Sequence, residues 1–433
     1  MTAGRTVAVI GGGWAGLAAA VEARRGGADV TLFEMAPQLG GRARDVVVDG
    51  IALDNGQHIA IGAYIATLTL LRDLGITEEQ AFLRMPLRLI DANGQGLVLP
   101  SGPPWLAFVR GVLSHSSWSW ADKLSLLRAA AGWLAGGFRC AEHLTVAVLT
   151  RSVRARVQRE LIEPLCVAAL NTDVGAASAR VFLRVLRDAL FSGPGASDLL
   201  LPRLALGRIL PAPAERWLDQ AGAIVRLRHR VQELKPGKRG WTVDGAAFDA
   251  IVVAATASES ARLVGAISSS WAAKASAMSF APIVTVYLRS SGTVLPQPML
   301  ALAADESHPA QFVFDRGQLG GTEGLIAFVI SGAEKWVDLE SDATLAATRQ
   351  QAEAALGPFL KGPLDVVKVV TEKRATFRCT PALARPPMEI ADRLWAAGDY
   401  LDGPYPSTLE GAVRSGIAAG RAACRSMHEP GSK

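Results

Sequence analysis

Cysteine is scarce and scattered: four residues, Cys140, Cys166, Cys379 and Cys424, in a chain of 433. None lies in a Cys-x-x-Cys pair, which argues against a zinc site and a disulfide scaffold and fits a reducing compartment. No metal is expected. Long hydrophobic runs are missing too. No stretch of 18 or more apolar residues exists, so no segment is expected to cross a membrane as a helix. The apolar N-terminal stretch is too short and too broken by glycine to read as a signal peptide. No charge block stands out either, since 45 Lys and Arg against 40 Asp and Glu leave a net +5. Nucleic-acid motifs, long repeats and low-complexity tracts are all absent, so no nucleic-acid partner is expected. Scattered surface arginine is the plain reading, and attraction to an anionic membrane surface is the other.

What is present is enough apolar material for two or three domains, with half of the residues hydrophobic and a fifth charged. The most informative stretch comes first. Val7-Ala8-Val9-Ile10 is a short strand that runs into Gly11-Gly12-Gly13-Trp14-Ala15-Gly16, and Leu17–Ala23 continues as a helix. Gly11 permits the tight turn, Gly13 lets backbone approach a pyrophosphate, and Gly16 lets the helix pack on its strand. The helix start, including Trp14 and Ala15, aims N–H groups and a positive dipole end at the phosphates. A second strand, Ala28–Phe33, ends at Glu34-Met35, about 20 residues after the turn, where a ribose-binding acid belongs. An acid there would repel the extra phosphate of NADP. It leaves NAD and FAD open.

Next come Gly40-Gly41-Arg42-Ala43, with two glycines and a cation for a diphosphate, and a strand Ile51–Asp54 leading into Asn55-Gly56-Gln57-His58. Together these segments resemble the amine oxidase and phytoene desaturase superfamily of FAD enzymes. The resemblance implies that Gly41, Arg42 and Ala43 lie along the FAD diphosphate. It implies that Gly56, Gln57 and His58 run beside the isoalloxazine ring and that the backbone at Val231 meets the adenine. Near the C-terminus, Leu394–Ala397 is a strand delivering Gly398-Asp399, and Leu409-Glu410-Gly411-Ala412 opens the last helix. In the family the Gly-Asp carboxylate serves the ribitol and diphosphate. The helix start points its N–H groups at the flavin, where negative charge gathers on reduction.

The middle of the chain reads differently. Helical spacing runs through Ser119–Ala135, Val153–Leu170 and Ser178–Leu190, and Trp105, Trp118, Trp120 and Trp133 crowd the same region. Tryptophans of this kind are more often core, with an apolar pocket or a membrane surface as the alternative. Strand-like pieces follow at Ala223–Leu227, Arg230–Leu234, Trp241–Asp244 and Phe248–Ala255. Further strands lie between Ser279 and Phe377, broken by a helix near Leu345–Leu356. The segments Glu163–Thr172, Ala177–Phe182, Leu200–Gly207 and Lys373–Phe377 resemble the squalene-associated FAD-dependent desaturase-like branch. That resemblance implies reductive loss of the allylic hydroxyl of hydroxysqualene, a lipophilic isoprenoid, with electrons from an unidentified donor. His58 is the first candidate for the catalytic acid, and Asn171 and Arg374 are weaker ones. A carotenoid desaturase, a flavin amine oxidase and a prenyl-binding protein without redox chemistry are the competing readings.

The expectation is an α/β chain. Residues 1–84, 205–265 and 385–433 form a Rossmann-like FAD-binding domain. The inserted α+β substrate domain comprises a mainly helical, membrane-facing stretch 85–204 and a sheet-rich stretch 266–384. The protein is expected in the cytoplasm, peripheral on the inner membrane face, with the tail Met427–Lys433 frayed.

Overall fold

The computed structural model describes residues 5–426 apart from 239 and 340, so the tail from Met427 lies outside the described residues. A six-stranded sheet organises the cofactor half, in the order Ile224–Arg226, Asp29–Phe33, Thr6–Ile10, Ala250–Val253, Leu394–Ala396, Glu389–Ala391. The first five are parallel, and the last is antiparallel to its neighbour. Val7, Ala8 and Val9 are fully buried because the helices Trp14–Arg25 and Leu409–Ser426 cover one face of the sheet and a small antiparallel sheet, Leu234–Pro236, Trp241–Val243 and Ala246–Phe248, packs against the other, which is why this strand reads as an unbroken apolar run. Ligands of such sheets bind beyond the carboxyl ends of the strands. Two glycines of the first turn are sterically required. A Cβ at Gly16 would lie 1.8 Å from Gly11 O, and one at Gly11, with φ +108°, would lie 2.5 Å from Ala254 O.

The last helix, Leu409–Ser426, packs directly on the first, Trp14–Arg25. A Cβ at Gly416 would lie 2.1 Å from Ala15 O, and one at Gly420 would lie 2.6 Å from Ala19 O. One turn further on, Cys424 Sγ donates to Ala23 O at 3.4 Å. Both partners advance by four residues at each step, so the two helices run parallel. Small residues let their backbones touch. Parallel packing brings both N-termini, with their positive dipole ends, to the same edge of the sheet.

A five-stranded antiparallel sheet forms the second half, ordered Met299–Ala301, Phe312–Asp315, Leu325–Ser331, Phe280–Arg289, Asp365–Phe377. One face, through Val284, Val286 and Phe328, packs against the helix Ser341–Leu356. The other, through Tyr287, Phe312 and Phe314, packs on the hairpin Asp45–Val48/Ile51–Asp54 and on the strand Leu199–Pro202. Helices fill the stretch between, including Pro104–Ser114, Trp120–Ala135 and Ala179–Phe191. Ser119 caps the second in a reciprocal capping box with Asp122.

Two expectations need correcting. The strand expected at Arg230–Leu234 begins only at Leu234, because Asp244 Oδ1 accepts from both Gln232 N and Glu233 N and holds the preceding residues in a loop. The tryptophans also divide. Trp118 is buried with its Nε1 on Glu160, whereas Trp105 and Trp120 are 54% and 75% exposed. No helix among the described residues is long and apolar enough to cross a membrane.

Candidate cofactor and active site

Four separate segments meet at the carboxyl edge of the parallel sheet. Gly11 N–H donates to Phe33 O at 2.7 Å, so the turn closes onto the second strand. Glu34 at that strand's end is buried, and its carboxylate accepts from Gly12 N–H and Ala36 N–H, each at 2.7 Å. Met35 turns its side chain to solvent. The first helix has no side-chain cap, so its leading N–H groups at Trp14, Ala15 and Gly16 face the edge unsatisfied. A Cβ at Gly13 would meet only Gly41 Cα, at 3.8 Å, so the turn is open on that side. Gly40 N–H on Gly12 O and Trp14 Nε1 on Ala43 O clip the Gly-Gly-Arg segment beside the opening.

Arg42 joins the two halves of the chain. Its guanidinium donates to Asp399 Oδ1 at 2.5 Å and to Ala375 O at 2.7 Å, reaching both the C-terminal motif and the edge of the antiparallel sheet. Burial opposes its charge, and Asp399 more than restores it. Ser407 Oγ donates to the other Asp399 oxygen. Arg385 donates to the carbonyls of Asp399, Tyr400, Gly403 and Tyr405 at 2.7 to 3.2 Å, which fixes the loop carrying Ser407. Gly398 N–H donates to Ser415 Oγ on the last helix. Arg385 escaped the sequence reading because it sits in no motif, and the role of the Ser407 hydroxyl escaped it because that segment reads only as the start of the last helix.

The Gly56-Gln57-His58 loop leaves the hairpin next to the inner face of the antiparallel sheet. His58 Nδ1 lies 2.7 Å from Gly56 O. A carbonyl only accepts, so Nδ1 carries the proton and Nε2 of the neutral ring is left as an acceptor. Burial pushes the imidazole below its ordinary value, the Gly56 carbonyl opposes this, and the Arg42 charge adds to the lowering. Behind the loop is a buried polar cluster. Arg316 donates to Gln57 Oε1 at 3.2 Å and stands 3.9 Å from Asp54 Oδ2, while Leu206 N–H donates to Asp54 Oδ1. Asp54 is 2% exposed. Burial pushes its carboxyl up to about 6 against the opposing pull of Arg316 and Leu206 N–H. Gln57 Nε2, Asp54 Oδ2 and Thr285 Oγ1 have no hydrogen-bond partner among the described residues.

Other sequence-derived residues take more specific places. Glu410 is 1% exposed, and its carboxylate caps the helix Ile65–Asp73 by accepting from Ala66 N, Thr67 N and Thr67 Oγ1 while pairing with Arg414. Its side chain is therefore committed to the protein, and only its backbone is available at the edge. Thr408 accepts from Gly411 N and Ala412 N, leaving the Leu409 and Glu410 N–H groups for a ligand. Val231 O accepts from Arg262, and its N–H remains. Asn171 is a buried clamp, with Nδ2 on Thr376 Oγ1 and Oδ1 accepting from Gly332 N, and Arg374 meets Arg42 only through its carbonyl. The Asn171 side chain is thereby committed on both its atoms, whereas Arg374 is exposed and donates from its guanidinium to Ser258 Oγ at 3.3 Å. An open face at Gly13, helix starts with unpaired donors, a buried acid at Glu34 and an unpartnered amide at Gln57 together suit a dinucleotide that carries a flavin.

Residues 14–424 match the family described as flavin containing amine oxidoreductase, and the chain belongs to that family. It is an oxidoreductase whose cofactor is FAD. More particular likenesses follow. A hydroxysqualene dehydroxylase of Sinorhizobium fredii is 27% identical over 96% of this chain and 97% of the relative. A hydroxysqualene dehydroxylase of Rhodopseudomonas palustris is 29% identical over 96% of this chain and 100% of the relative. An oxidoreductase from Methanosarcina mazei shares the fold at a TM-score of 0.72 and 14% identity, covering 95% of this chain and 99% of its own.

Proposed function

We propose that this chain removes the allylic hydroxyl of hydroxysqualene and releases squalene for hopanoid and related isoprenoid synthesis, at the cytoplasmic face of the inner membrane. What carries the reading is the likeness to hydroxysqualene dehydroxylases over almost the whole chain, including middle segments that a cofactor site does not need. FAD bound by Arg42, Asp399, Glu34 and the two helix starts would supply, in its reduced form, the hydride that replaces the hydroxyl, and an external two-electron donor would restore the electrons. The alcohol takes up one proton and one hydride and yields squalene and water.

The chain's own residues set the conditions. Arg42 tied to Asp399, Glu34 and the two parallel helix starts hold and orient the cofactor. Ile59, Ile61, Leu83, Met85, Leu87 and Leu89 are only partly buried near the Gly56–His58 loop. They offer a long apolar chain a dry wall, and excluding water protects an allylic cation from capture. His58 Nε2 handles the proton for the departing hydroxyl. Its lowered pKa makes the imidazolium a strong but sparsely populated acid, so the step quickens as pH falls.

An anaerobic single turnover tests the reading. Reduced enzyme mixed with hydroxysqualene in detergent should oxidise its flavin and form squalene at one rate. His58→Ala should slow that rate by about 10²-fold or more, and an unchanged rate removes His58 from the proton path. Reduction of the oxidised enzyme by phytoene, with no reaction on hydroxysqualene, would replace the proposal with a desaturase.

A further inference from the structure

The net positive charge of the chain is not scattered. Residues 101–195 hold eleven Lys and Arg against six Asp and Glu, a net +5, and the remainder holds thirty-four of each. Within this segment Arg110, Arg128, Arg139, Arg151, Arg159 and Arg187 are exposed and have no acidic partner among the described residues. The same segment exposes apolar side chains at Trp105, Leu113, Trp120, Leu124, Leu134 and Phe191. The helix Trp120–Ala135 carries only three charged residues in sixteen. Its outer line runs through Trp120, Leu124, Arg128, Ala131 and Ala135, all exposed, along about 24 Å. Lys123 Nζ donates to Leu113 O and stands 5.2 Å from the Trp120 ring centroid, which joins the end of Pro104–Ser114 to this line. At the far end, Phe138 and Phe191 pack with centroids 5.2 Å apart.

We infer that this ridge docks on an anionic phospholipid bilayer, with Trp120–Ala135 lying in the plane of the interface. The purpose of such docking, collection of a lipid-soluble substrate, rests on the function proposed above; the surface itself does not. Apolar side chains with tryptophan rings suit the headgroup boundary, and arginine on an amphipathic line reaches back to phosphate while its stem stays apolar. A second copy of the chain is a poor occupant, because an isologous contact would set one +5 face against another.

The FAD-loaded full chain is floated with vesicles of phosphatidylcholine alone and of phosphatidylcholine with phosphatidylglycerol. Binding should be about tenfold or more tighter on the anionic vesicles and should fall at high salt. Arg110→Glu with Arg128→Glu should weaken it by about tenfold or more. Trp120→Asp with Leu124→Asp should weaken it similarly and reduce quenching of tryptophan fluorescence by brominated acyl chains. Both variants should keep bound FAD and single-turnover activity in detergent, which shows that they remain folded. Equal binding to both vesicles, or binding indifferent to both variants, overturns the inference. So does a dimer that Trp120→Asp dissolves. Vesicle binding is measured without substrate, so it stands or fails separately from dehydroxylation.

Discussion

Alanine at Gly416 would drive a methyl group into the contact between the first and last helices. The new Cβ would lie 2.1 Å from Ala15 O and 2.9 Å from Ala18 Cβ, both backbone or stub atoms that cannot swing aside. Relief requires the helices to part by about 1 Å, an overpacking that costs about 1–3 kcal/mol. Alanine also stabilises an exposed helix by about 1 kcal/mol relative to glycine, which masks part of the loss. Gly132→Ala supplies the control. Gly132 is also helical, and a Cβ there meets nothing within 4 Å, so only the propensity gain applies. The two variants should therefore differ by about 1–3 kcal/mol in urea unfolding of the holoprotein, with Gly416→Ala the weaker. Gly416→Ala should also release FAD more readily, since the first helix carries the glycine turn on its end. Equal unfolding midpoints for the two variants would refute the close parallel packing.

Three further outcomes follow from the site. Glu410→Ala leaves the Ala66 and Thr67 N–H groups without their acceptor and should cost about 2–4 kcal/mol. Hydrogen exchange should show this as lost protection in the first turn of Ile65–Asp73, while FAD affinity changes little. Arg42→Met removes a charge-assisted bond and strands Asp399, so retention of FAD on dialysis should drop by about tenfold or more. Asp54 binds its proton more tightly folded, at about 6, than unfolded, near 3.8. Its contribution is full below pH 4 and is lost as pH rises through 6, by about 3 kcal/mol. The stability difference between wild type and Asp54→Asn should shift by about 2 kcal/mol, most of that total, between pH 4 and pH 7.

The parts of the site that depend on backbone shape were legible in the sequence. Gly16 is dictated by Gly11 O five residues away and Glu34 by the length of one strand–helix–strand unit, while Gly11 shows locally as a turn glycine although the atom that excludes its Cβ, Ala254 O, comes from a distant strand. Arg42 and Asp399 were found as separate motifs, but their pairing spans 357 residues and no local pattern encodes it. The same holds for Arg385, whose carbonyl partners lie in a loop without periodicity. Glu410 was legible by position and not by direction. Its carboxylate turns to another helix start, which only the packing of Leu409–Ser426 on Ile65–Asp73 reveals. The exposure of Trp120 was hidden because a tryptophan in a helical pattern reads alike whether it faces a core or a surface.

The parallel pairing of the first and last helices also governs when the protein can become an enzyme. Ala23 and Cys424 touch across 401 residues, so the glycine turn leaves the ribosome long before the helix that backs it. At 5–20 residues per second the delay is about 20–80 s. During that interval the Ala15–Ala19 surface is uncovered, and the Asp399 end of the cofactor site does not yet exist. Cofactor loading is therefore expected to follow the emergence of the last helix, and shortening the C-terminus into Leu409–Ser426 should yield a colourless chain even with the whole N-terminal motif intact.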